Sequence, residues 1–114
     1  MIEEPEQLTP AMFHVLLALA DGERHGYAIM QEVESRTDGE IQLPPGTLYR
    51  TIKILLQARL IERSSPQREA MEHDTRRVSY KISRLGRKRA SSEAARLAKI
   101  VALARSKKLI PEPA

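Results

Sequence analysis

The stretch from Leu43 to Arg63, LPPGTLYRTIKILLQARLIER, constrains this chain more than any other. At about 100° per residue, Leu48, Ile52, Leu55 and the aliphatic stem of Arg59 share one narrow helical face. Gly46, Arg50, Lys53 and Gln57 fall on the opposite face, which carries two cations and no acid. Pro44-Pro45 opens the helix, because proline lacks an N–H that a first turn leaves unpaired anyway. The pattern predicts a helix over 45–58 with an apolar back and a cationic, hydrogen-bonding front. Such a helix suits the major groove of DNA, which admits one α-helix. An ordinary amphipathic helix with a solvated charged face produces the same pattern, so this stretch alone does not separate the two.

At 114 residues the chain is one domain with room for a modest core. One Phe, three Tyr and no Trp leave that core to Leu, Ile, Val and Ala. So little aromatic bulk favours a partner subunit that completes it. No apolar run approaches the length of a bilayer span, and the N-terminus is acidic rather than signal-like. The absence of cysteine excludes disulfides and thiolate chemistry and fits a cytoplasmic protein.

Charge is divided sharply along the chain. Residues 1–42 hold nine acids and two bases, a net of −7, whereas residues 43–89 hold twelve bases and four acids, a net of +8. Basic charge that begins with the candidate recognition helix is the footprint expected of a nucleic-acid face. A solvated basic surface is the alternative.

Thr9 is placed to cap a first helix that starts at Pro10. Its apolar set (Met12, Phe13, Val15, Leu16, Leu17, Leu19, Ala20) covers nearly all sides. Burial on several sides follows, one against its own domain and another against a partner chain. Gly22 is the expected stop. A second helix is expected over Ala28–Arg36, with Tyr27, Ile29, Met30 and Val33 on its buried side and Thr37-Asp38-Gly39 ending it. Two helices with a short joint, the second one cationic, read as a helix-turn-helix. The length of the joint favours the winged variant.

After Ala58 the periodicity changes. Leu60–Arg63 and Val78–Ile82 have strand-like composition, and Ser64–Arg77 between them is polar and contains Arg68, Arg76 and Arg77. Two strands and a basic loop make a β-hairpin wing. Ser83 can cap a last helix expected over Arg84–Ile110, with Pro111 as its stop. Ala90, Ala94, Leu97, Val101 and Ala104 recur at spacings of four and three, the rhythm of a helix–helix seam, and Ile100 and Leu103 widen it. A small monomer has little left to cover so long a helix, so it is expected to pack on a second chain. The small alanines would admit a partner helix closely, and Met12, Phe13 and Leu16 of the first helix are the expected surface to receive it. The expected architecture is mainly α with a small β-hairpin. A winged helix-turn-helix spans 1–83, and a C-terminal dimerisation helix and tail spans 84–114, as one structural unit.

HGYAIMQEVE, LPPGTLYRTIKILLQARLIER and YKISRLGRKR together resemble the PadR family of bacterial winged-helix transcriptional regulators, over about Leu8 to Leu109. The length and single C-terminal helix look like the short PadR subfamily. The resemblance implies a homodimer whose two recognition helices read a roughly palindromic stretch of double-stranded DNA. Carried over by position, Gly46, Thr47, Tyr49 and Arg50 match the segment that meets DNA, and Pro45 beside them is a further DNA-binding candidate. Tyr27 matches a position near the phosphates, and Arg76 and Arg77 fall in the wing. Lys53 and Lys81 are further candidates. Each has a duller reading: Tyr49 as an anchor against the wing, Gly46 as an aid to chain entry, and the cations as solvated charge. Pro44 departs from the Ser that caps this helix in many relatives, which leaves its first N–H groups to Thr47 or a phosphate. Ser83-Arg84-Leu85-Gly86 departs from Thr-Pro-x-Gly, and Ser83 should still cap. Relatives can take small aromatic or amphipathic effectors between subunits. Here Phe13 and Met12 are the residues to line such a space, with no Trp to stack on a ligand.

Enzymatic function is not expected. His14, His25 and His73 are scattered, His73-Asp74 lacks a neighbouring metal ligand, and there is no Gly-rich phosphate loop. No cofactor or metal is expected. Two classes remain: a DNA-binding regulator, expected to be a repressor, and a winged-helix protein–protein interaction module without specific DNA binding. Cations at 50, 53, 76 and 77 favour the first, since an interaction module has no need of them there.

Overall fold

The computed structural model describes residues 7–64 and 78–111. Among these, four helices and three strands follow in the order α1 (Pro10–Leu19), β1 (Arg24–His25), α2 (Gly26–Arg36), α3 (Pro45–Gln57), β2 (Ile61–Arg63), β3 (Ser79–Ile82) and α4 (Arg84–Ser106). Together they form a winged helix-turn-helix. Arg76, Arg77 and the rest of the expected basic loop over residues 65–77 lie outside the described residues.

Capping chemistry starts α1 and α4 where the sequence places them. The Thr9 hydroxyl accepts a hydrogen bond from the Met12 amide at 3.2 Å, with Pro10 as first helical residue. The Ser83 hydroxyl accepts one from Gly86 at 2.9 Å and donates one to the Arg59 carbonyl at 2.7 Å, which ties the start of α4 to the end of α3. Pro44 precedes α3 and offers no side-chain acceptor.

The helix ends use one device three times; it closes α2 where the sequence places that end and stops α4 earlier than expected. After α3, the amides of Arg59 and Leu60 return to the carbonyls of Leu56 and Leu55 at 3.0 and 2.9 Å, with Arg59 left-handed at φ +64°. This is a Schellman closure. Arg59 is therefore outside the helix and exposed, and Thr51 joins Leu48, Ile52 and Leu55 on the buried face instead. Asp38 (φ +53°) closes α2 in the same way. Lys108 (φ +63°) closes α4, with the Leu109 amide bonded to the Ala104 carbonyl at 3.0 Å. The last helix thus stops at Ser106, not Ile110. In each case a non-glycine residue takes the left-handed position that glycine usually signals.

The core is built from Leu16, Leu19, Ile29, Leu48, Ile52, Leu55, Leu60 and Ile61, all essentially inaccessible to water. Helix α1 lies at its centre and packs on α2, α3, α4 and β3. The many-sided apolarity of α1 is thereby satisfied within one chain. Met12 and Leu16 are 7% and 0% exposed, so they provide none of the spare surface expected of them, and only Phe13 remains half-buried. Two arginines pin the end of α1: Arg24 donates to the Ala18 carbonyl at 2.7 Å and Arg87 to the Ala20 carbonyl at 2.9 Å.

The sheet has a strand that the sequence did not announce. β3 pairs antiparallel with β2 (Ile61 opposite Ile82, Arg63 opposite Tyr80) and on its other edge with β1 (Arg24 opposite Tyr80, His25 opposite Ser79). Two residues are too few for a period-two pattern, which is why β1 is invisible in the sequence. Its pairing pulls the start of α2 back to Gly26, two residues before the expected Ala28.

Helix α4 leaves this body. Gly86 is its one buried residue among those described, and Ala90 packs against the core. Farther along, Ile100, Val101 and Leu103 are 49%, 42% and 56% exposed. The radius of gyration is 15.6 Å, against about 13 Å for a compact domain of this length.

Candidate nucleic-acid interface

Helix α3 divides as its wheel requires. Leu48, Thr51, Ile52 and Leu55 face the core, while Pro45, Gly46, Arg50, Lys53 and Gln57 are exposed and Thr47 is half-buried. Among the described residues neither Arg50 nor Lys53 has an acidic partner, so both cations are available to an anion. The first N–H groups of α3 lack a side-chain cap from Pro44. Orphan amides at a helix start attract negative charge. The start of α3 therefore presents amide dipoles, a glycine with open space around it and, one turn on, Arg50.

The beginning of α2 lies against the same end of α3. A β-carbon on Gly26 would fall 2.7 Å from the Tyr49 hydroxyl oxygen and 3.0 Å from its ring, so only glycine admits the ring in this position. Tyr49 is consequently packed over the first turn of α2 and is half-buried. Beside it, Tyr27 is 50% exposed. This corrects the expectation that Tyr27 lies on the buried side of α2; Ile29 and Val33 hold that side, with Met30 half-buried. His25, at the N-cap of α2, shares a 3.0 Å hydrogen bond with the Ser79 hydroxyl and so ties the helix start to β3. The motif His25-Gly26-Tyr27 thus has three separate tasks: a tether, a gap for a ring and an exposed phenol.

The structure brings Tyr27, Met30, Pro45, Leu48 and Tyr49 together around one concavity. Gly46, Arg50 and Lys53 continue from it along the exposed face of α3. Lys81 stands apart on β3, exposed and opposite Glu62 in the strand ladder. His25 and Ser79 were not anticipated. Their contact spans 54 positions, and no local pattern announces such a pair. Among the described residues no group of three or more His, Asp or Glu side chains could hold a metal ion, and no helix is long and apolar enough to cross a membrane.

The chain matches the model of the transcriptional regulator PadR-like family over residues 15–92. No curated protein matches it at a significant level. Among solved structures, it is similar to a transcriptional regulator from Clostridium thermocellum, with a TM-score of 0.68 and 21% identity over 84% of this chain and 87% of that one. It is also similar to RosR of H. salinarum, with a TM-score of 0.61 and 23% identity over 91% of this chain and 99% of that one. At these identities the likeness is one of fold.

Proposed function

The chain belongs to the PadR-like family of transcriptional regulators, and from that premise we propose that it is a sequence-specific DNA-binding repressor that acts as a homodimer on a roughly palindromic operator. The observation that carries this reading is the exposed face of α3: Gly46, Arg50 and Lys53 in line, unopposed by acids among the described residues, and continuous with Tyr27. In this reading the first turns of α3 enter the major groove and Arg50 reads a base edge. Tyr27, Thr47, Tyr49 and Lys53 meet the backbone. Lys81, and Arg76 and Arg77 beyond the described residues, add phosphate contacts.

The homodimer rests on α4. Its Ala94, Leu97, Ile100, Val101 and Ala104 form a stripe along the part that leaves the body, and Ile100 and Val101 are 49% and 42% exposed. A partner copy would cover that stripe, with Phe13 rather than Met12 or Leu16 as the contribution from α1. Residues 84–114 then serve as the dimerisation segment, and residues 1–83 as the reading unit. Two recognition helices would meet half-sites about 34 Å apart, one turn of DNA. A small-molecule effector between subunits would meet Phe13, because Met12 is 7% exposed. Nothing in this arrangement calls for catalysis, and a regulator of this kind works in the cytoplasm.

Selection of binding sites from random duplex DNA, followed by a salt titration on the selected site, tests the reading. We expect a two-fold-related consensus and a steep fall of log affinity with log salt. Recovery of no consensus, with a flat salt response, would favour the protein-interaction module instead.

A further inference from the structure

The concavity between α2 and α3 is unlike the rest of the candidate interface. It is an open hollow of about 220 Å³ whose exposed lining is apolar, walled by Tyr27, Met30, Pro45, Leu48 and Tyr49. It lies at the first turns of α3, the end of a recognition helix that contacts base edges, and the cationic positions Arg50 and Lys53 follow along the same helix. An apolar hollow gains nothing from a phosphate oxygen or from the amino and carbonyl groups of a base edge. The one apolar group that an unmodified major groove presents is the C5 methyl of thymine. The cations beside the hollow suit the polyanion that would carry that methyl to it. In this structure the Tyr49 ring is seated directly on Gly26, with no room for a β-carbon between them, and Leu48 is 1% exposed.

We propose that this hollow is a thymine-reading site: each half of the operator places a thymine methyl against Tyr27, Met30, Pro45 and Tyr49. The inference rests on the DNA-binding reading above and adds to it the identity of one base. It makes the Tyr27–Met30 side of α2 part of base recognition, in addition to any backbone contact.

The test uses the full chain and the operator recovered by site selection, with each thymine replaced in turn by deoxyuridine, which removes the methyl and keeps every hydrogen-bonding group. At one thymine position in each half-site the replacement weakens binding about four-fold, the ~0.8 kcal/mol of one buried methyl at 1.4 kcal/mol per factor of ten. On the Met30→Ala protein, which loses part of the wall, the ratio between thymine and deoxyuridine duplexes at that position falls toward one. Specific binding that is indifferent to deoxyuridine at every thymine overturns the proposal and leaves the DNA-binding reading standing. A methyl effect that survives unchanged in Met30→Ala also overturns it, because the methyl is then read elsewhere. A chain that selects no sequence overturns both.

Discussion

A β-carbon placed on Gly86 would lie 1.9 Å from the carbonyl oxygen of Leu60. The start of α4 is thus pressed onto the turn between α3 and β2, where that carbonyl also accepts a hydrogen bond from the Ser83 amide at 3.0 Å. The obstacle is backbone, so it cannot swing aside as a side chain would. Gly86→Ala is expected to lower stability by about 1–3 kcal/mol or more, although alanine is the better helix former by about 1 kcal/mol. Chemical denaturation measures it; an unchanged midpoint would mean that α4 is not held against this turn.

Gly26→Ala should behave differently, because its obstacle is the end of the Tyr49 side chain. The ring can move outward, so the melting temperature should change little. DNA affinity should fall, since Tyr49 walls the candidate interface. A large loss of stability with normal affinity in the folded fraction would reverse that assignment.

The left-handed Arg59 at φ +64° offers a gain. An L-residue there costs roughly 1–2 kcal/mol relative to glycine, and the extra freedom of glycine in the unfolded chain returns about 0.4–1 kcal/mol of it. Arg59→Gly should therefore raise stability by up to about 1.5 kcal/mol, the difference between those two quantities. A lower melting temperature would show that the Arg59 side chain has a stabilising role of its own.

The exposed stripe on α4 predicts how stability depends on concentration. If a second copy covers Leu97 and Val101, the melting temperature rises as the protein is concentrated. Leu97→Asp with Val101→Asp would place charges in that seam and separate the subunits. Light scattering reads the mass directly. A wild type that stays monomeric at micromolar concentration and melts at a fixed temperature would exclude the paired half-site arrangement.

The starts of α1, α3 and α4 were legible because their signals are local. Thr9, Pro45 and Ser83 act within one turn, and the period of Leu48, Ile52 and Leu55 shows the buried face of α3 directly. Three features were not legible, each for a physical reason. The closures after α3 and α4 depend on Arg59 and Lys108 adopting a conformation that their side chains do not advertise. Strand β1 is two residues long and exists through its partner β3. The burial of Met12 and Leu16 is decided by how many elements surround α1, and a helical wheel does not count neighbours. At the candidate site, the sequence pointed to Arg50 and Lys53 by their charge. The seating of Tyr49 on Gly26 and the hollow beside Tyr27 are tertiary facts.

The central claim is that the exposed face of α3 reads base sequence, and the affinity of Arg50→Ala for operator and for random duplex at one salt concentration tests it most directly. The account predicts a loss of about 1–3 kcal/mol on the operator with little change on random DNA. Arg77→Ala should weaken both duplexes alike. Equal losses on the two duplexes for Arg50→Ala, or no loss on either, would contradict it.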